Sequence, residues 1–253
     1  MIFDSHGHYE SKAFDGDRDR LLSEVLPAAG VRRILNVGSD LAACRETLAL
    51  TRRYGYLYGG VGIHPECAKT LPEDWLAQIR EMLGADKMVA VGEIGLDYHW
   101  LEACPKERQK EVFLAQLALA AELDLPVVIH DREAHGDMME ILRRTRPKGV
   151  MHCFSGSVEL SRELVKMGMY IGLGGAVTFK NARHTVAVAA DLPLERLLLE
   201  TDAPYMAPEP CRGQRNDASL IRYIAQRIGE IRGISPEAVC KAGMANGARL
   251  FGL

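Results

Sequence analysis

Short runs of branched apolar residues alternate along this chain with longer segments whose apolar residues recur at helical spacing. This alternation constrains the fold more than any other feature, because strands that are apolar throughout, such as VVIH and LLLE, are typical of parallel sheets covered on both faces. Parallel neighbours need a crossover connection, which the helical segments can supply. The eight predicted strands span residues 2–6, 33–38, 57–64, 88–94, 127–130, 150–154, 169–173 and 197–202.

The intervening segments carry helix start and stop signals. Pro72 precedes an apolar stripe that ends at Gly84, and Ser235 with Pro236 opens the last predicted helix. Eight βα units in 253 residues match the α/β fold called the (β/α)8 TIM barrel. A doubly wound open sheet is the alternative, but no Gly-x-Gly-x-x-Gly turn follows the first strand. Because no Gly/Ser-rich linker divides the chain, residues 1–253 are predicted to form a single barrel domain.

Composition argues against several classes of protein. Lysine and arginine total 31 against 34 acidic residues, so the net charge of -3 does not indicate a protein that coats nucleic acid. The longest uncharged run, 167–179, has 13 residues, whereas a membrane span needs about 20. The N-terminus lacks the pattern of a secretory signal, and a cytoplasmic location is expected. The six cysteines show neither disulfide nor zinc-finger spacing, and Cys153 is expected by strand alternation to point into the helix layer.

Side chains of metal-binding type stand at the predicted carboxyl ends of the strands, where TIM barrels place their active sites. His6 and His8 are two residues apart, so on extended backbone they point to the same side and can reach one ion. Glu93 follows an apolar run, where an unpaired buried carboxylate would be costly. The full set is His6, His8, His64, Glu93, His130, His152 and Asp202.

These residues also have simpler interpretations. A pair of histidines in a loop is as often a surface feature, and Glu93 could form a salt bridge with an arginine. His130 and His152 could be hydrogen-bonded core residues, and Asp202 could cap the next helix. Two histidines at the ends of successive strands, together with a carboxylate, favour a metal centre over these alternatives.

Eight motifs follow one another along the chain: FDSHGHY, VGIHPE, VGEIGLDYHW, PVVIHDRE, MHCFSGS, GLGGAVTFKN, LLLETDAPYMAP and CRGQRND. In these motifs and in the ending ANGARLFGL, the chain resembles the TatD family of metal-dependent deoxyribonucleases. The resemblance runs from residue 2 to 253 and implies a TIM-barrel hydrolase, related to the amidohydrolases, that acts on DNA ends. It implies two divalent ions per chain, one held by His6, His8, Glu93 and Asp202, the other by Glu93, His130 and His152.

The last motif departs from the family pattern. Gln214, Asp217 and Ala218 stand where the family usually has Lys, Glu and Pro, and Cys211 stands where Tyr or His is common. These changes leave the implied metal ligands intact and concern substrate contacts. Mg²⁺ is the ion expected from the family, while imidazole and carboxylate ligands also accept Zn²⁺, Mn²⁺ or Ni²⁺.

The residues permit phosphodiester hydrolysis by a metal-activated water. Three catalytic residues are predicted: Asp202 accepts the proton of that water, Glu93 bridges the ions, and His64 orients the phosphate. Tyr98 or Trp100 could stack on a terminal base. Because guanidinium groups suit phosphate oxygens and loops after strands seven and eight often bind phosphate, substrate contacts are expected from His64, Arg132, Lys180, Arg212 and Arg215.

The leading prediction is an exodeoxyribonuclease that hydrolyses single-stranded DNA ends, with DNA as its partner and neither a membrane nor an obligate protein partner implied. The alternative is a metal-dependent amide or ester hydrolase on the same binuclear site, such as a D-aminoacyl-tRNA deacylase, because fold alone does not separate the two reactions. A barrel that only stores or senses metal is the non-catalytic alternative, and the complete ligand set disfavours it.

Overall fold

The computed structural model describes residues 1–253, and eight strands form one parallel sheet in which each strand pairs with the next along the chain. A parallel bridge between Gly7 and Ala203 brings the end of the sheet back to its first strand. The predicted TIM barrel is therefore confirmed, and the open sheet is excluded. The strands are Ile2–Gly7 (β1), Val31–Gly38 (β2), Leu57–Val61 (β3), Met88–Asp97 (β4), Val127–Arg132 (β5), Gly149–Met151 (β6), Tyr170–Leu173 (β7) and Leu197–Leu199 (β8).

Helices alternate with the strands and cover the outside of the barrel. Asp40, Ser157 and Ser235 each cap a helix by accepting a hydrogen bond from the amide three residues later, which satisfies a donor that the helix leaves free. No helix combines the length and the apolar character needed to cross a bilayer. The helices are Arg18–Arg20 (α1), Leu26–Ala28 (α2), Leu41–Arg53 (α3), Trp75–Leu83 (α4), Lys106–Glu122 (α5), His135–Thr145 (α6), Val158–Lys166 (α7), Arg183–Asp191 (α8), Ile221–Arg232 (α9) and Pro236–Phe251 (α10).

Three strands end earlier than the sequence predicts: β6 stops at Met151, and the other two end before His64 and Asp202. β3 stops at Val61, and His64 instead caps a 3-10 turn that begins at Pro65, because proline has no amide hydrogen to donate to a sheet. β8 stops at Leu199, and Asp202 lies in the loop beyond it. Both side chains therefore sit on loops just past the carboxyl ends of their strands.

The inside of the barrel is filled at the amino ends of the strands. The ring of Phe3 on β1 meets the ring of Phe251 on α10 edge to face, with 6.1 Å between centroids. Gly247 of α10 lies so close to Phe3 that a side chain there would overlap the ring. Thus α10 closes one end of the barrel. The interior cluster comprises Phe3, Leu35, Val37, Ala90, Val128, Val150, Tyr170, Leu198, Leu250 and Phe251.

The alternation of side chains along the strands also determines which residues face the interior at the carboxyl ends of the strands. His130 and His152 follow the interior residues Val128 and Val150 by two positions, so their side chains also face inward. His6 and Glu93 follow Phe3 and Ala90 by three positions and would face outward on regular strands. Register shifts occur in both places, between Asp4 and Gly7 and between Val91 and Ile94. Such irregularities re-aim side chains next to active sites.

Candidate metal centre

A cavity of about 920 Å³ opens at the carboxyl ends of the strands. Six of the seven predicted metal-binding side chains line it, all except the fully buried His6, and Glu93 has only 4% of its surface exposed. The carboxylate of Glu93 meets a different set of imidazoles with each of its two oxygens. The sequence therefore correctly anticipated which residues converge, although they come from six different strands or the loops that follow them.

The first cluster surrounds Glu93 Oε2. The Nε2 atoms of His6 and His8 each lie 3.5 Å from this oxygen and 3.1 Å from each other. Asp202 Oδ1 lies 3.7 Å from His6 Nε2 and 3.4 Å from His8 Nε2. Four possible donor atoms from β1, β4 and the loop after β8 thus face one point.

The second cluster surrounds Glu93 Oε1. His130 Nδ1 lies 3.1 Å and His152 Nε2 lies 3.0 Å from this oxygen. His64 Nε2 approaches it at 3.7 Å. The two clusters share Glu93, and the rings of His6 and His152 stack between them at 3.8 Å.

The spacing of these atoms fits divalent metal ions. Ligand bonds of about 2.1 Å place neighbouring donors about 3.0 Å apart in octahedral and about 3.4 Å apart in tetrahedral coordination. The observed separations of 3.0–3.7 Å cover this range. A mixed set of imidazole nitrogens and carboxylate oxygens is also the donor type of hydrolytic metal sites.

The hydrogen bonds of the imidazoles indicate which ring nitrogen is free to bind an ion. His8 Nδ1 lies 2.7 Å from the carbonyl oxygen of Val37, which can only accept, so His8 carries its proton there and presents Nε2 to the first cluster. His130 Nε2 lies 3.0 Å from Asp97 Oδ2, so His130 presents Nδ1 to the second cluster. In each ring the nitrogen beside Glu93 is therefore the one that becomes free to bind an ion once it has lost its proton.

His64 has the opposite arrangement. Its Nδ1 accepts the backbone amide of Glu66 at 3.3 Å, so the proton of the neutral ring lies on Nε2. Burial holds the pKa of His64 down to about 4 despite the nearby charge of Glu93, and the ring is neutral at pH 7. His64 thus points a hydrogen-bond donor, rather than a lone pair, into the cavity.

The charges of the cluster are strongly coupled. Burial alone would raise the pKa of Glu93, but the surrounding His152, His64 and His6 hold it well below its usual range. Burial would lower the pKa of His130, but its hydrogen bonds to Asp97 and Glu93 outweigh this and raise it to about 10. An ionised carboxylate among basic imidazoles is a site where a divalent cation competes with protons.

Three further buried carboxylates were not singled out in the sequence: Asp4, Asp97 and Glu200. Each of them follows an apolar strand segment, which is the signal that identified Glu93. Glu200 Oε1 lies 3.7 Å from His152 Nδ1, and burial raises the pKa of this carboxyl to about 7. Asp4 accepts hydrogen bonds from the amide and the hydroxyl of Thr201 and joins β1 to the loop that carries Asp202.

Of the predicted substrate contacts, His64 and Arg132 line the cavity, and the guanidinium of Arg132 lies 5.9 Å from the ring of Trp100. Trp100 is 47% exposed. Tyr98 instead points its hydroxyl at Asp137, 2.5 Å away.

Three predicted phosphate contacts are not among the residues that line the cavity. Arg215 forms two hydrogen bonds of 2.7 Å with Asp17, which engage its guanidinium. Arg212 stacks on Phe179, 4.0 Å from the ring centroid, and Lys180 is exposed beside that ring in sequence. Their role as phosphate contacts stays a prediction, although Arg212 and Arg215 already have partners in the loops.

The prediction for Cys153 is also wrong. Its φ of 45° interrupts the alternation of β6, and the residue lines the cavity instead of facing the helices. Burial raises the pKa of its thiol well above the usual value, so the thiol stays protonated.

A parallel barrel with paired imidazole–carboxylate clusters at its mouth defines the class of metal-dependent TIM-barrel hydrolases. The family described as TatD related DNase matches residues 3–252, and the chain belongs to this family. It is similar to the uncharacterized metal-dependent hydrolase YabD of Bacillus subtilis, with 41% identity over 99% of both chains. It is also 36% identical to the 3'-5' ssDNA/RNA exonuclease TatD of Cronobacter sakazakii, covering 99% of this chain and 97% of the relative.

Solved structures agree with this assignment. The crystal structure of YJJV, a TatD homologue from Escherichia coli K12, superposes with a TM-score of 0.94 at 34% sequence identity. The match covers 100% of this chain and 98% of that one. The chain is thus a metal-dependent hydrolase of the TatD family.

Proposed function

We propose that this hydrolase is an exonuclease that removes nucleotides from the ends of single-stranded DNA with two divalent ions. The observation that carries the proposal is the position of Glu93, whose two oxygens face two separate donor clusters. The exonuclease named among the relatives supports the choice of a phosphodiester substrate.

In this proposal His6, His8 and Asp202 would hold one ion, His130 and His152 would hold the other, and Glu93 would offer one oxygen to each. Such ions would polarise a phosphoryl oxygen and make water nucleophilic at neutral pH. The donor set suits Zn²⁺, Mn²⁺ or Ni²⁺ as well as the Mg²⁺ expected from the family.

The chain's own residues perform the remaining steps. His64 donates its Nε2 proton in a hydrogen bond to a phosphoryl oxygen and so orients the phosphate. Burial alone would raise the pKa of Asp202, but its hydrogen bond with His8 holds that pKa below the usual range. The ionised Asp202 therefore accepts the proton of the attacking water. Arg132 pairs with a phosphate and Trp100 offers a stacking face at the rim.

The lining of the cavity is also acidic. Glu10, Asp40, Glu46 and Glu66 line it, together with Lys12. These carboxylates repel additional phosphates, so a strand is expected to reach the clusters by its end rather than to lie across the mouth. The same acidic lining favours a second candidate, the D-aminoacyl-tRNA deacylase, because its substrate carries an ammonium group next to the ester.

The proposal is tested with single-stranded oligonucleotides labelled at the 3′ or the 5′ end, incubated with protein that has been stripped by chelator and reloaded with Mg²⁺, Mn²⁺ or Zn²⁺. We expect release of mononucleotides that requires added metal and is reduced by at least about a hundredfold in Asp202→Asn. D-aminoacyl-tRNA is tested in parallel. Loss of the aminoacyl ester without release of nucleotides would replace the proposed activity by the deacylase.

A further inference from the structure

Asp97 is a buried carboxylate at the end of β4 whose position is fixed on three sides. Its backbone amide donates to Gln109 Oε1 at 2.8 Å, and its carbonyl accepts from Gln109 Nε2 at 2.7 Å. Its Oδ1 accepts the backbone amides of His99 at 2.9 Å and Trp100 at 3.3 Å. These contacts leave Oδ2 to face His130 Nε2 at 3.0 Å.

We propose that Asp97 is a positioning residue that sets the tautomer of His130 and thereby the affinity of the second cluster for its ion. The inference rests on the proposed metal centre. With a proton held on Nε2 by Asp97, His130 is left with Nδ1 as its ion-binding nitrogen, which lies 3.1 Å from Glu93 Oε1. Asp97 reaches the ion only through the imidazole.

The other imidazoles do not have this arrangement. His8 Nδ1 lies 2.7 Å from the carbonyl of Val37, which a change of side chain does not alter, and 3.5 Å from the more distant Glu10 Oε1. His6 Nδ1 has no partner within the chain. The 3.7 Å between His152 Nδ1 and Glu200 Oε1 is too long for a hydrogen bond, and His152 Nδ1 has no partner within the chain. Asp97 is therefore the place where a single side chain controls which nitrogen of a ligand is protonated.

The two amides on Oδ1 make a specific variant informative. In Asp97→Asn the carbonyl oxygen must stay at the Oδ1 position, because both backbone amides need an acceptor there. The new amide nitrogen is then forced to the Oδ2 position and donates to His130 Nε2. This moves the proton of the ring to Nδ1 and removes the lone pair that faces the ion. In Asp97→Ala either nitrogen can carry the proton.

We therefore expect Asp97→Asn to weaken metal binding more than Asp97→Ala does, although asparagine is nearly isosteric with aspartate. Binding of Zn²⁺ and Mn²⁺ is measured by equilibrium dialysis with elemental analysis, and folding by thermal unfolding. We expect the wild type to bind two ions. In Asp97→Asn the second ion should bind 10- to 100-fold more weakly, and in Asp97→Ala the loss of affinity should be smaller. Glu133→Gln is the matched control, because Glu133 contacts the non-ligand His99 at 2.7 Å, and it should bind both ions as the wild type does.

NMR of Zn²⁺-loaded protein with isotope-labelled histidine rings provides a second measurement, because it reports which ring nitrogen is protonated. The wild type should show His130 coordinated through Nδ1 and protonated at Nε2, and Asp97→Asn should lose this signature. Equal binding of both ions by wild type and Asp97→Asn, or a larger loss in Asp97→Ala than in Asp97→Asn, would overturn the inference alone. A wild type that binds no ion would overturn the proposed metal centre and this inference together.

Discussion

Carboxylates meet cationic side chains in two regions of this barrel, and the two regions use them differently. At the mouth, Glu93 is 4% exposed and contacts several imidazoles at once. Toward the other end, exposed arginine–carboxylate pairs join neighbouring outer helices, as between Arg143 of α6 and Glu163 of α7 at 2.6 Å. The same arrangement links α4 to α5 through Arg80 and Glu122.

The difference lies in the cost of separating the charges from water. An exposed pair keeps its hydration and contributes little, whereas a buried carboxylate needs compensating charges or hydrogen bonds. The number of charged residues in a sequence therefore indicates little about function, whereas a charged side chain that is buried indicates a functional site. Three substitutions test this contrast, in descending order of expected effect.

The largest effect is expected for Glu93→Gln. A carboxamide keeps one ligand oxygen but replaces the other by a nitrogen whose protons face imidazoles, so one of the two clusters loses its bridging ligand. We expect nuclease activity to fall by more than about a hundredfold and bound metal to fall below two ions per chain. Glu163→Gln makes the same chemical change on the helix surface and should retain both. Activity and metal content in Glu93→Gln equal to those of Glu163→Gln would contradict the contrast.

An intermediate effect, on stability, is expected at Asp4. Asp4→Ala leaves the amide of Thr201 and two hydroxyls without their buried acceptor and should lower the free energy of unfolding by about 2–4 kcal/mol. Asp4→Asn keeps the acceptor for the amide, and the hydroxyls can rotate to accept from the new amide group, so its loss should be smaller. Urea unfolding of chelator-treated protein measures both values.

The contribution of Asp4 to the stability of the fold should also depend on pH. Burial raises the pKa of Asp4 from 3.8 to about 7, despite the hydrogen bonds from Thr201 and Tyr9. The folded state thus binds this proton more tightly than the unfolded state, so the contribution is present below pH 4 and is lost as the pH rises through about 7. Asp4→Asn carries no such proton, and its disadvantage relative to wild type should shrink over that interval.

The smallest effect is expected for Arg143→Met on the helix surface. The hydrogen bond to Arg143 lowers the pKa of Glu163 below 4.5, so the pair stabilises the fold above that pH and loses its effect as the pH falls further. We expect the Tm to drop by less than about 2 °C at pH 7 and by nothing measurable at pH 3. A larger drop at pH 7 would show that exposed pairs hold the helix ring together.

The order of strands and helices was predictable from the sequence because it depends on local patterns, and the side chains predicted to bind metal lie close together in the structure. His130 and His152 end apolar strands whose alternation already points them inward. His6 and Glu93 reach the interior through register shifts, which leave no pattern in the sequence. They were singled out by the spacing of His6 and His8 and by the apolar run before Glu93, and the family resemblance implied only how the ligands divide between two ions.

Contacts between distant segments could not be predicted in this way. Arg215 is held by Asp17, 198 positions earlier in the chain, and this partner follows only from closure of the barrel. The role of Asp97 depends on which of its oxygens the backbone amides occupy. Both facts concern directions of individual atoms, which spacing along the chain does not encode.

The packing of Phe3 against α10 links the closed end of the barrel to the catalytic end. Phe3 and His6 belong to one short strand, so a displacement of the Phe3 ring is expected to move His6 as well. A methyl group added at Gly247 would have to displace that ring, and β1 would transmit the displacement along its length. The packing of the C-terminal helix against β1 thus determines how far His6 projects toward the cavity.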